Sequence, residues 1–326
     1  MRRGLLATIA FLSSLSLAFA QEAIVGGGYI GSTGAIVAYS GTLDKAGGTP
    51  IAWYSATLCG SVNTNQTIAY INASNTGGTS GGTAIVCSTG GCMSTTGQAL
   101  GTTCTSTCYV TELSDQSGLG NNITWSGSTA PTYKTAGNCA SPVTTSCIAT
   151  VGGANYGSVT VSAGSTYQIP NSQYIFSYTT LPGSSQAGVM LSLTLPSGTA
   201  NELYVQLYNT TGIPYATAVE AANVYQGNGT GGALAWESWT GTFASGSGNV
   251  KVYKGGTVGS TTATIGTAPT GMTAITISAV KSGGVTAGVA NMSFIEGGMF
   301  NSALSGATIA SMCSSSSSKS GASSAC

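Results

Sequence analysis

Tyr109-Val110-Thr111-Glu112-Leu113-Ser114-Asp115-Gln116-Ser117-Gly118-Leu119-Gly120-Asn121-Asn122-Ile123-Thr124 reads as a strand, a tight turn and a second strand. Gly118 and Gly120 supply backbone conformations that side chains forbid, and Asp115 stands where its carboxylate can accept backbone N–H groups. Outward from this stretch, residues 24–311 repeat short runs of alternating apolar and polar residues, with Gly, Ser, Asn and Pro between them. Clear examples are 189–195, 202–208, 250–253 and 274–280. A period of two punctuated by turn residues predicts an all-β sandwich with little helix. Helical patterning is confined to 217–225 and to 305–313, where Leu304, Ile309 and Met312 could pack a turn or two on an edge.

Composition narrows the chemistry. The chain has 326 residues, with 8 Lys+Arg, 8 Asp+Glu and no histidine, yet 42% are hydrophobic, enough for a sizeable core. Without histidine there is no Ser-His-Asp or Cys-His site, no His-ligated metal and no imidazole pH switch. No cofactor is expected. No basic cluster is present to bind nucleic acid or an anionic membrane. Residues 1–20 have the pattern of a secretory leader: Arg2 and Arg3, an apolar stretch from Leu5, and Ala18-Phe19-Ala20 as the cleavage site. An exported chain is expected, secreted or at the cell surface, and no later stretch could span a membrane. One domain is expected over 21–312, followed by a low-complexity, serine-rich and mobile tail over 313–326.

Nine cysteines in an exported chain point to disulfides. Their spacing suggests local pairs: Cys87 with Cys92, Cys104 with Cys108, Cys139 with Cys147, and Cys313 with Cys326. Cys59 is then left over, and its pairing with Cys87 or Cys92 is an open alternative. Repeated Cys-x-x-Cys spacing is absent, which argues against zinc.

The Asp-Gln-Ser-Gly-x-Gly-Asn turn at 115–121 resembles the corresponding turn in the catalytic domain of secreted α-L-arabinofuranosidases B, glycoside hydrolase family 54, within the wider concanavalin A-like jelly-roll group. The short cysteine loop from Cys104 to Cys108 before the strand is similar, as is Phe294-Ile295-Glu296-Gly297-Gly298-Met299. The resemblance implies a jelly-roll β-sandwich and a retaining carboxylate pair, one nucleophile and one acid/base. At the two positions where it places that pair, this chain has Leu191 and Val285. The family's adjacent Cys-Cys pair and its C-terminal arabinan-binding domain have no counterpart.

Other carboxylates are candidates for the missing pair. Glu237 lies in Trp236-Glu237-Ser238-Trp239, an acid between indoles that could stack on sugar rings. Glu296 and Glu220 are the further catalytic candidates, with Glu220 expected on a short helix. Alternation from 202 to 208 sets Glu202, Tyr204, Gln206 and Tyr208 opposite Leu203, Val205 and Leu207, a polar and aromatic stripe that could face a glycan. Tyr174, Phe176 and Tyr178 alternate similarly. Trp236, Trp239, Tyr204, Tyr208, Asp115 and Asn122 are therefore the candidate sugar contacts. The expectation is a secreted jelly roll that binds arabinose-containing polysaccharide and is weak or inactive as a hydrolase; an active arabinofuranosidase and a structural assembly protein are the alternatives.

Overall fold

The computed structural model describes residues 28–30, 36–38, 42–47, 49–56, 67–72, 82–86, 108–126, 130–134, 137–150, 156–160, 172–179, 188–194, 201–207, 213–220, 223–229, 235–244, 246–266, 273–282, 285–287, 289–322 and 326. Its strands, numbered along the chain, form two packed antiparallel sheets. Sheet one runs β3 (Pro50–Ser55), β23 (Met292–Phe300), β11 (Ser172–Thr179), β16 (Trp236–Phe243) and β17 (Gly246–Lys254), and ends in the short β18 (Thr257–Val258) and β19 (Ala263–Ile265). Sheet two starts with β5 (Thr83–Val86), β4 (Thr67–Asn72), β6 (Cys108–Leu113), β7 (Ile123–Ser126) and β10 (Tyr156–Thr160). It continues through β20 (Ala274–Ile277), β12 (Gly188–Thr194), β13 (Asn201–Leu207), β14 (Pro214–Glu220) and β15 (Asn223–Asn228). β8 (Thr132–Lys134) and β9 (Cys147–Ala149) join the sheets at one corner, β8 pairing with β6 and β9 with β23. Two hairpins stand apart, β1 (Gly28–Ile30) with β2 (Ile36–Ala38), and β21 (Val280–Ser282) with β22 (Val285–Ala287). The predicted all-β jelly-roll sandwich is the fold observed.

Alternation explains which side chains meet. The facing surfaces contribute Tyr54, Ile175, Trp239, Phe243 and Val252 from sheet one, and Leu113, Ile123, Trp125, Leu191, Val205 and Ile277 from sheet two, to one buried core. The outer face of sheet one is also apolar: Trp53, Tyr174, Phe176, Trp236 and Phe300 form a second buried cluster. Trp53 stacks on Tyr174 at 5.8 Å and Phe176 on Trp236 at 5.9 Å. Gly298 lies among them because a Cβ there would collide with the Ala52 carbonyl and the Trp53 ring.

What buries this second face is a helix, α1 (Gly306–Ser320), and it overturns the expected mobile tail. Ser305 caps its N-terminus by accepting from Thr308 N at 3.1 Å, and Gly321, at φ 83°, closes its C-terminus. Ile309, Met312, Cys313, Ser316, Ser317 and Ser320 are buried along one stripe. Serine is a mediocre helix former, but here its small side chains let the helix approach the sheet closely, and packing overrides composition. The predicted short helix at 305–313 is the first half of this element. The expected helix at 217–225 is absent: that stretch forms β14 and β15, with Glu220 paired to Asn223 across a hairpin. Ala216 and Ala218 alternate into the core, while Val219 and Val224 are paired on the opposite face with Val224 exposed, so the segment follows period two and not a helical stripe.

Cys139–Cys147 and Cys313–Cys326 are disulfides, with Cα atoms 6.1 and 5.9 Å apart. Cys108 is disulfide-bonded, and its expected partner Cys104, like Cys59, Cys87, Cys92 and the expected leader, lies outside the described residues.

Candidate functional site

The Asp115 turn fastens the two sheets together. β3 pairs with β23 on one side only, and its other edge is met by the turn. Asp115 Oδ1 accepts from Trp53 N at 2.9 Å, Gln116 N donates to Trp53 O at 2.8 Å, and Asn121 Nδ2 donates to Ile51 O at 2.8 Å. Asp115 also accepts from Ser117 N, Ser117 Oγ and Asn121 N. A carboxylate so engaged, and only 7% exposed, is a structural acceptor, not a sugar contact. Asn122 accepts from Asp115 N and donates to Glu112 Oε1, both through its side chain. Gly118 and Gly120 have φ of 88° and 74°, as the turn requires.

The other candidates separate by location. Leu191 lies in the intersheet core, 1% exposed, paired with Val205 and Ile277. The position carried over from the resemblance therefore marks no groove, and reading a vacated catalytic site from it is corrected. Val285 is described only in its main chain, paired with Ser282. Trp239, 1% exposed, is also core, and the expectation that it contacts sugar is corrected on the same ground. Trp236 is buried against Phe176 and donates from Nε1 to Ala140 O at 2.7 Å.

Glu237 points inward at the rim of the core, where Lys254 forms an ion pair with it and lies over the Trp239 ring. Burial raises the Glu237 pKa, and Lys254 pulls it partly back. Glu296 is fully buried beneath α1. Its Oε1 accepts from Thr42 Oγ1 at 2.6 Å and from Ser316 Oγ. Ser316 also bonds the Tyr174 hydroxyl at 2.8 Å. Burial first, and the Glu296 charge second, hold that phenol protonated well above its usual range. Glu296 is thus sealed from substrate. Only the main chain of Glu220 is described, paired with Asn201 and Asn223; Tyr208 lies outside the described residues.

What remains is the outer face of sheet two. The strand registers align Tyr70, Glu112, Thr124, Ser158, Thr276, Ser192, Tyr204, Thr217 and Gln226 in one lateral row across nine strands. One residue along, Trp125, Ile277, Leu191 and Val205 face the core. The middle of the row is covered, with Ser192 donating to Ala279 O at 2.9 Å; Thr124 on one side and Gln226 at the other end are exposed, Tyr70, Glu112, Ser158 and Tyr204 are half-buried, and Thr217 is buried. At the Gln226 end Gln206 and Gln226 both donate to Thr217 Oγ1, at 3.0 and 3.2 Å. Tyr204 lies beside them, its pKa raised to about 12 by burial and by Glu202, with Thr217 lowering it. The Glu202–Tyr204–Gln206 stripe read from alternation is therefore present. The Gln226 and Thr217 contributions were missed because the region was read as helical.

Sequence comparison with family models finds no match, and no curated protein matches the chain. Comparison of structures does. A glutamate-to-glutamine mutant of a family 54 α-L-arabinofuranosidase, soaked with 4-nitrophenyl α-L-arabinofuranoside, superposes with TM-score 0.58 at 14% identity. Its fold is shared by this chain. An arabinofuranosidase complexed with arabinofuranosyl-α-1,2-xylobiose gives 0.52 at 16% identity. Both matches cover 84% of this chain and 65% of the other, so the chain spans less than two thirds of those enzymes' length. At this identity the likeness establishes the jelly roll alone.

Four of the described acids, Glu112, Glu202, Glu237 and Glu296, are spread over the two sheets. Glu112 and Glu202 share the outer face of sheet two but stand five strands apart, about 24 Å at ordinary strand spacing. Retaining and inverting pairs need roughly 5–5.5 and 6.5–9.5 Å. Glu237 and Glu296 belong to the other sheet, one turned inward and one under α1.

Proposed function

We propose that this protein is a secreted carbohydrate-binding jelly roll that engages arabinose-containing polysaccharide along the outer face of sheet two and has little or no hydrolase activity. The observation that carries the reading is the lateral row of hydroxyl, amide and phenol side chains, with Tyr70 and Tyr204 as its aromatic members. Tyr204, half-buried, offers its ring to a sugar, and the exposed Gln226 amide offers a donor and an acceptor, held in place by the buried Thr217, which Gln206 bonds from the other side. A neutral glycan suits a face with so few charges. The disulfides and the leader pattern support export. Among the described residues no helix is long and apolar enough to cross a membrane.

Affinity electrophoresis in gels containing arabinan or arabinoxylan tests this. The protein should be retarded, and Tyr204→Ala combined with Gln206→Ala should weaken retention tenfold or more. Unchanged retention in the variant refutes the assignment of the face. No 4-nitrophenol should be released from 4-nitrophenyl α-L-arabinofuranoside. Turnover that disappears in Glu202→Gln would establish the enzyme instead.

A further inference from the structure

At the corner where β8 and β9 join the sheets, a cleft of about 430 Å³ opens between β8, the 138–140 loop, the end of β11 and the start of β23. Its polar lining is Thr132, Lys134, Asn138, Tyr178, Asn291 and Ser293, with the buried Thr150 behind them. We propose that this cleft is a second glycan site, which takes a sugar residue bearing a carboxylate, a uronate. The proposal rests on the preceding reading only in taking the ligand to be a glycan, since it uses other residues on the other sheet.

Three observations support it. First, among the described lining residues Lys134 is the single charge, with no carboxylate in the cleft, and it makes no ion pair among the described residues. In a chain with so few ionisable groups, a lone cation in a concavity sets the sign of what it receives. Bidentate recognition of a phosphate would call for an arginine fork. Both arginines of this chain are at positions 2 and 3, in the leader, and a single ammonium matches a single carboxylate.

Second, Tyr178 is half-buried with Trp236 behind it, the ring centroids 6.0 Å apart. This is a supported platform for the apolar face of a pyranose, in a cleft that Asn138 and Asn291 also line.

Third, the walls are preorganised. The Cys139–Cys147 disulfide pins the loop, Trp236 Nε1 bonds Ala140 O, and Thr144 N donates to Ser320 O at 2.8 Å at the end of α1. Behind the floor, Thr150 Oγ1 bonds the carbonyls of Ala290 and Met292 at 3.1 and 3.2 Å. Ser278, a buried non-glycine residue at φ 70°, holds Thr150 through Oγ at 3.0 Å. Strain retained at a buried, fully bonded node beside a cleft is the pattern of a fixed site.

Calorimetric titration with trigalacturonate and with its fully methyl-esterified form tests the proposal on the full chain. The acid should bind, the neutral ester at least tenfold more weakly, and Lys134→Gln should abolish that difference. Tyr178→Ala should weaken both ligands. Because Tyr178 also packs on Trp236, the solvent-accessible Lys134→Gln, checked by its melting temperature, is the decisive variant. Equal binding of acid and ester, no binding of either, or a Lys134→Gln protein that still discriminates overturns the proposal. Competition by inorganic phosphate at the same concentration would reassign the cleft to simple anions and also overturn it. Tyr204→Ala with Gln206→Ala should leave trigalacturonate binding unchanged, so failure of the sheet-two reading and failure of this one are separately visible.

Discussion

Glu237 and Glu296 are both buried carboxylates, yet they are held in different ways. Glu237 has a cation, but burial outweighs it and its pKa is raised. The folded protein therefore binds that proton more tightly than the unfolded chain, and stability falls as pH rises from the ordinary carboxylate range through the raised value. In Glu237→Gln this component is gone. The melting temperature of the variant minus that of the wild type should be smaller at pH 4 than at pH 7; a difference independent of pH would refute the raised value. Among the described residues Glu296 forms no ion pair, and it accepts from the hydroxyls of Thr42 and Ser316. Trp239, read from the sequence as a sugar contact, should prove to be core: Trp239→Ala should cost about 3–5 kcal/mol in denaturant unfolding, with glycan retention intact in the folded fraction. A variant that melts normally but loses retention would return Trp239 to the binding surface.

At the scale of elements, the turn at 115–121 and the helix α1 do the joining. Asp115→Ala removes a carboxylate that serves two segments at once, and a loss of about 3 kcal/mol is expected for breaking a buried charged network; a loss under about 1 kcal/mol would mean the turn is held by its backbone alone. For α1, Ser316→Ala separates two opposite expectations. Alanine is the better helix former by roughly 0.5 kcal/mol, so an exposed serine tract would be stabilised. Loss of the donor to the buried Glu296 should instead destabilise by about 1–3 kcal/mol. The turn was legible because its glycines and its aspartate are needed by backbone geometry, which is local. Most strands were legible for the same reason; β14 and β15 were not, because the spacing at 217–225 was read as helical. Of the helix only the first half was legible, because the serines of its second half are chosen for close approach and for a carboxylate distant in sequence, and composition reports neither. Nor could alternation tell inward from outward: the same period placed Leu191 and Glu202 on their strands, and only the pairing of sheets showed which residue meets the core. The lateral row belongs to nine strands in register, a property that no single stretch of sequence contains.

Across the whole molecule, the row on sheet two spans eight strand intervals, about 38 Å at ordinary spacing, and with its middle covered the proposed glycan is met toward the row's two ends. Binding there should depend on hydroxyl and ring contacts and change little between 50 and 500 mM salt, because no charge is matched. The Lys134 cleft should behave oppositely and lose affinity for trigalacturonate over the same range. Titrations of both ligands in a salt series would distinguish the two faces without any mutation; equal salt dependence would contradict the assignment of charge to one and neutrality to the other.

The fastening of β3 by the Asp115 turn has a mechanical consequence. Two sheets that meet only through apolar side chains can slide over one another under load, since such contacts have no direction. Here Trp53 and Ile51 of one sheet are bonded through their main chain to a turn that grows from β6 and β7 of the other, so sliding must break these bonds together before the core is exposed. Under a pulling force applied along β3, the molecule should resist up to a single high rupture event and then yield at once, and Asp115→Ala should convert that event into a lower, gradual extension.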